Sequence, residues 1–131
     1  MKYLLDTAVW LWGLAEPERL NSQAHRLIAQ GREELYLSAA SSWEIGIKWA
    51  LGTLPLPESP ARYVPKRLSA QGIRPLSISH AHALAVAELP PYHRDPFDRL
   101  LIAQAQTEQM IVLTADRTFE KYEVRILWAG E

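Results

Sequence analysis

The stretch DPFDRLLIAQAQTEQMIVLTAD, residues 95 to 116, carries a helix start, a helix, a strand and an acid just beyond the strand. Asp95 stands directly before Pro96, which reads as an N-cap followed by proline at the first helical position. The apolar pattern over 96–106 predicts a helix, and MIVLT (110–114) predicts a strand. That strand does not alternate with polar residues, so it belongs in a sheet covered on both faces. A helix feeding such a strand is half of a βαβ unit. One capping residue is enough for one helix, yet Asp98 follows Asp95 by three positions. Either the pair is helix-start chemistry alone, or one of them belongs to a site assembled from elsewhere in the chain.

Working outward, the same alternation recurs. KYLL (2–5), LYLS (35–38), IRPL (73–76) and VRILW (124–128) read as further strands. Between them, 7–15, 21–31, 41–52, 59–72 and 79–89 read as helices, with a short helical turn near 117–121. Asn21 and Gly31 supply a start and a stop for the second helix, and Pro65 is expected to bend or interrupt the helix over 59–72. GTLPLPESP (52–60), with three prolines, reads as a loop within one domain. The expected fold class is α/β, a parallel sheet with helices on both faces, in a single domain over 1–131.

Composition bounds the function. Hydrophobic residues make up 48% of the 131 and charged residues 22%, and the formal net charge is −1. A nucleic-acid partner would therefore need a local basic surface rather than a basic chain. There is no cysteine, which excludes a disulfide framework and a thiolate metal site. Asp6 breaks the apolar N-terminal run that would suit a signal peptide, and no run approaches the ~18 apolar residues of a membrane span. A cytoplasmic location without a membrane partner is the expectation.

Four acids fall in equivalent places. Asp6 follows the first strand, Glu44 lies in the first turn of the helix after the second, Asp98 opens the helix before the fourth, and Asp116 follows the fourth. The crevice beyond the carboxyl ends of parallel strands is the usual ligand site of such a sheet. Each acid also has a scaffold reading. Asp6 suits an N-cap, SSWE (41–44) matches a capping box on Ser41, Asp98 suits the positive end of a helix dipole, and Asp116 suits a turn cap. Together they are harder to explain as scaffold. At ~4 Å and an effective dielectric near 20, one like-charged pair costs about 4 kcal/mol, so a cluster calls for a cation. An all-oxygen donor set selects Mg²⁺ or Mn²⁺, and the chemistry that follows is metal-assisted phosphodiester hydrolysis. Asp95 is then scaffold, and Asp98 is site.

LLDT (4–7), SSWEI (41–45), DPFDRLLIAQA (95–105) and LTAD (113–116) resemble, in order and spacing, the PIN-domain ribonucleases, and within them the VapC toxins of toxin–antitoxin pairs. The resemblance covers essentially the whole chain, and DPFDRLLIAQA is its specific part. It implies a PIN-like three-layer α/β/α fold with a five-stranded parallel sheet, and an endoribonuclease that cuts single-stranded or looped RNA such as tRNA or rRNA. It implies Asp6, Glu44, Asp98 and Asp116 as catalytic acids, with Mg²⁺, or Mn²⁺ in its place, on Asp6, Asp98 and Asp116. Thr7, Thr114 and Asp95 would orient the site. A homodimer and an inhibitory VapB-type antitoxin are the partners it implies.

Arg94, Arg99 and Arg117 flank the acids and are candidates to meet RNA phosphates. His93 is read as a substrate or Asp95 contact, or as a plain loop residue. His80 and His82 lack the i, i+4 spacing of helical metal ligands. Trp10 and Trp12 cannot both face inward from one helix, whereas most of Trp10, Trp12, Trp43 and Trp49 are expected in the core. Rival phosphate enzymes fail on particular residues. Ala8 stands where a dehalogenase-type phosphatase needs a second Asp, IRPL offers no phosphoacceptor for a receiver domain, and neither Walker A nor GxGxxG occurs. The surviving alternative is a non-catalytic PIN-like module that binds RNA or protein.

Overall fold

A computed structural model describes residues 1–131. In chain order the elements are β1 (Lys2–Leu5), α1 (Thr7–Ala15), α2 (Ser22–Gln30), β2 (Glu34–Ser38), α3 (Ala39–Ala50), α4 (Pro60–Gln71), β3 (Arg74–Leu76), α5 (His80–Ala85), α6 (Pro96–Glu108), β4 (Ile111–Thr114) and β5 (Ile126–Trp128). Three 3-10 turns, Pro17–Arg19, Val86–Glu88 and Arg117–Lys121, punctuate the series. All five expected strands form, and every strand pair is parallel, in the order β3-β2-β1-β4-β5.

The alternation of side chains along each strand builds two cores. Leu5, Leu35, Leu37 and Leu113 face one side and pack with Val9 and Trp10 of α1, Ala24 of α2, and Val64 and Leu68 of α4. Leu4 and Val112 face the other side and pack with Leu101, Ile102 and Ala105 of α6, and with Phe119. The sheet is thus buried on both faces, as its apolar strands require. No helix is long and apolar enough to cross a membrane.

The chain starts in the middle of the sheet, adds β2 and β3 on one side, and returns to place β4 against the other side of β1. The order of strands therefore reverses between β1 and β4, and a crevice opens beyond their carboxyl ends. Helix α6 must run back along the sheet to deliver β4, so its N-terminus lies at that same edge. Asp95 fixes the start, its Oδ1 accepting from the backbone N–H groups of Phe97 (2.8 Å) and Asp98 (3.1 Å).

Three expectations about elements need correction. Helix α3 begins at Ala39, with no loop after β2, and its cap is Ser38, whose Oγ accepts from Ala40 N–H at 3.0 Å. Ser41 and Glu44 are therefore no capping box, and Glu44 lies in the second turn rather than the first. Pro65 does not interrupt helix α4, in which Val64 and Leu68 on the inner face are buried and the proline itself is exposed. The helix expected over 79–89 splits into α5 and the 3-10 turn Val86–Glu88.

The tryptophans also divide differently from expectation. Trp10 is buried and donates its indole N–H to Gln71 Oε1 at 2.9 Å, whereas Trp43 and Trp49 of α3 are 61% and 42% exposed. Trp12 is partly covered by the Arg19 guanidinium, 4.1 Å above its ring.

Candidate active site

The crevice at the β1/β4 switch is a cleft of about 370 Å³. Asp6, Glu44, Asp95, Asp98 and Asp116 line it, with Thr7 and a single cation, Lys48. All four acids singled out from the sequence are thus brought together. Asp6 occupies the N-cap position of α1 but makes no capping hydrogen bond. Its Oδ2 instead accepts the Thr114 hydroxyl at 2.8 Å, and Thr114 Oγ1 accepts in turn from the Asp116 backbone N–H at 3.0 Å. One threonine, buried at the end of β4, thereby bonds the carboxylate of Asp6 and the backbone of Asp116. Thr7 is also buried, and its hydroxyl donates to Ser41 Oγ at 2.7 Å, which ties the start of α1 to α3.

Glu44 is buried, and the i, i+4 spacing on α3 brings Lys48 Nζ to 2.7 Å from its Oε2. Its Oε1 is buried with no hydrogen-bond partner. A partnerless carboxylate oxygen is costly unless something positive meets it. Two of the other acids are raised. Burial, followed by the neighbouring carboxylates Asp6, Asp95, Glu44 and Asp116, pushes Asp98 up to about 8. Burial likewise raises Asp6 to about 6 against the opposing hydrogen bond from Thr114. Asp116 moves the other way: burial would raise it, but the Thr118 N–H and His93 hydrogen bonds outweigh that and hold it below the ordinary carboxylate range. As expected of a turn cap, it accepts from Thr118 N–H at 2.9 Å. Lys48 is raised, chiefly by its hydrogen bond to Glu44.

These residues fit a hard divalent cation. The donors are carboxylate oxygens, one of them, Glu44 Oε1, is unpartnered, and burial among neighbouring carboxylates raises two of the carboxyl groups.

His93, left open from sequence, reaches the cluster. Its Nε2 lies 2.8 Å from Asp116 Oδ2 and 3.0 Å from Asp98 Oδ2, while Asp95 meets the ring only through its backbone N–H. His82 is buried and bound to Ser79, Gln104 and Glu108 in a scaffold network, away from the cleft.

The three flanking arginines separate. Arg94 is exposed, and Arg117 is exposed beside Asp116, stacked 3.7 Å over Trp128 and paired with Glu120. Arg99 is engaged within the chain through its guanidinium. It donates to the carbonyls of Pro90 (2.9 Å), Val86 (3.1 Å), Leu89 (3.3 Å) and His93 (3.4 Å). Truncation leaves the Leu89 and His93 carbonyls without this donor, while those of Pro90 and Val86 keep the Tyr122 hydroxyl and the Leu89 N–H. Arg99→Ala is therefore expected to cost about 2–4 kcal/mol in urea unfolding, with Arg99→Lys recovering only part because an ammonium lacks the planar fork. A loss below about 0.5 kcal/mol, the range of an ordinary surface change, would contradict this anchoring role.

The sequence matches the PIN domain family over residues 3–124. It is 46% identical to Ribonuclease VapC16 of Mycobacterium tuberculosis over 61 residues, which cover 47% of this chain and 43% of that relative. The match thus spans less than half the length of the curated relative. In fold the chain is similar to VapBC2 from Rickettsia felis bound to a promoter DNA fragment, with TM-score 0.73 and 15% identity over 98% of this chain and 99% of that one. It is also similar to FitAcB from Neisseria gonorrhoeae, with TM-score 0.64 and 23% identity over 96% of each chain.

Proposed function

The chain belongs to the PIN domain family, and from that premise we propose that it is a Mg²⁺- or Mn²⁺-dependent endoribonuclease, the toxin of a toxin–antitoxin pair. The observation that carries the reading is the cleft itself: four acids converge on the switch point, and Glu44 Oε1 is buried there with no hydrogen-bond partner. The similarity to a Mycobacterium tuberculosis ribonuclease supports ribonuclease chemistry, and the VapBC complex of like fold supports a VapB-type antitoxin as partner.

Asp6, Asp98 and Asp116 would hold the ion, with Glu44 completing the acidic wall. When bound, the ion would supply Lewis acidity that eases deprotonation of an attacking water, and positive charge to offset the transition state. The chain's own residues do the arranging. Thr114 holds the carboxylate of Asp6, the Asp95 cap aims the first turn of α6 so that Asp98 faces the cleft, and Lys48 holds one oxygen of Glu44. Arg94 and Arg117, exposed and next in sequence to Asp95 and Asp116, would meet phosphates of a looped RNA such as tRNA or rRNA. Exposed Trp43, Ile47, Trp49 and Leu51 on and just after α3 support a homodimer contact.

The test is cleavage of tRNA, rRNA fragments and loop RNAs by antitoxin-free protein with Mg²⁺, Mn²⁺ or EDTA. Cutting is expected with either ion, none with EDTA, and none with Asp6→Asn. Wild-type protein that cuts no RNA with either ion would point instead to the non-catalytic binding module.

A further inference from the structure

His93 has one imidazole nitrogen within hydrogen-bonding distance of two acids of the cleft, so it is either a ligand for an ion or a donor to the ligands. The opposite ring nitrogen decides between them. The Asp95 backbone N–H points at Nδ1, 3.2 Å away. A backbone N–H can only donate, so Nδ1 presents a lone pair, and in the neutral ring the proton then sits on Nε2. A nitrogen that carries a proton has no lone pair for a metal. The ring is also held in place: the His93 backbone N–H donates to Tyr122 Oη at 2.8 Å, and the ring meets Phe119 edge-on with centroids 5.8 Å apart. Its backbone carbonyl accepts from Arg99.

We propose that His93 is a positioning residue of the cleft, whose fixed Nε2–H holds Asp116 Oδ2 in place beside Asp98 Oδ2. The two carboxylates come from different elements, one from the first turn of α6 and one from the turn after β4. Left to themselves they repel. The Nε2–H donates to Asp116 Oδ2 at 2.8 Å and the same nitrogen lies 3.0 Å from Asp98 Oδ2, so the ring sets their spacing before any ion arrives. Outer hydrogen bonds of this kind orient ligating carboxylates, and their loss typically costs 10–100-fold in metal affinity. The inference rests on the ion-site reading above and deepens it.

The test is calorimetric titration of Mg²⁺ into RNA-free wild type, His93→Ala and His93→Gln, with ring-nitrogen NMR of wild type. Glutamine carries an N–H near the Nε2 position and no ring. His93→Ala is expected to weaken Mg²⁺ by about 10–100-fold and His93→Gln to recover most of that, while the wild-type ring keeps its proton on Nε2 with and without Mg²⁺. Unchanged Mg²⁺ affinity in His93→Ala, or migration of the proton to Nδ1 on adding Mg²⁺, overturns the positioning role and leaves the ion site standing. Wild type that binds no Mg²⁺ overturns both together.

Discussion

Asp98→Asn is expected to make the metal-free protein more stable and, at the same time, to abolish RNA cleavage. Asp98 is buried among Asp6, Asp95, Glu44 and Asp116, and burial and that company push its carboxyl up to about 8. An acid raised in the folded state is one the fold would rather keep neutral. Asparagine has nearly the same shape and no charge, so it removes the penalty while leaving the Asp95 cap untouched. The gain in EDTA at pH 8 is on the order of 3 kcal/mol. Each tenfold difference in acidity between folded and unfolded chains is worth about 1.4 kcal/mol, and the neighbouring acids ionise further and take back part of the gain. Cleavage with Mg²⁺ should fall by about 10³-fold or more, because several kcal/mol of transition-state stabilisation leaves with the ion. Urea unfolding in EDTA and a cleavage assay on one preparation check both halves. A variant less stable than wild type in EDTA would make Asp98 a structural residue. A variant that still cuts RNA would remove it from the site.

That opposition separates what is legible in the sequence from what is not. Local signals are readable where their partners are near in the chain. Asp95 and Pro96 start α6, and Asn21 caps α2 by accepting from Ala24 N–H. The acids too are found by position, because strand ends and helix starts dictate which edge a residue reaches. Glu44 reads one turn too early because the run LYLSAASSWE offers a serine at 38, 41 and 42, and SSWE has the spacing of a cap. Distant contacts choose among them. Ser38 takes the cap while its hydroxyl donates to Gln104, 66 residues away, at 2.6 Å, and Ser41 is engaged by Thr7, 34 residues away. The loop-anchoring bonds of Arg99 are hidden for a related reason: its acceptors are backbone carbonyls, which no side-chain pattern announces. His93 is visible beside DPFD, yet its bond to Asp116 spans 23 residues and depends on how two elements meet.

The second large effect is a dependence of stability on both pH and Mg²⁺. Asp6 at about 6 and Asp98 at about 8 are acids raised above their ordinary value of 3.8. Below pH ~4 each is protonated in folded and unfolded chains alike, and their full contribution is present. As pH rises, the unfolded chain ionises first, so folding takes up protons and stability declines, by up to about 1.4 kcal/mol per pH unit per proton. The decline ends near pH 6 for Asp6 and near pH 8 for Asp98. Asp116, lowered by its hydrogen bonds, has the opposite sign, but its contribution is lost only as the solution becomes more acidic than ~4. Mg²⁺ needs the ionised carboxylates, so it displaces the remaining protons, and its apparent affinity rises by up to about tenfold per pH unit between 6 and 8. At pH 8 and 100-fold excess over its dissociation constant it adds about 2.7 kcal/mol, roughly 10 °C in Tm for a chain of this size. Thermal unfolding from pH 5 to 9 should therefore give an EDTA curve that falls between 5 and 8, and a Mg²⁺ curve that meets it at pH 5 and parts from it above 6. Asp98→Asn should flatten the EDTA curve between 6 and 8 and bring the two curves together. Parallel wild-type curves, equally spaced at every pH, would mean that Mg²⁺ binds somewhere other than these acids.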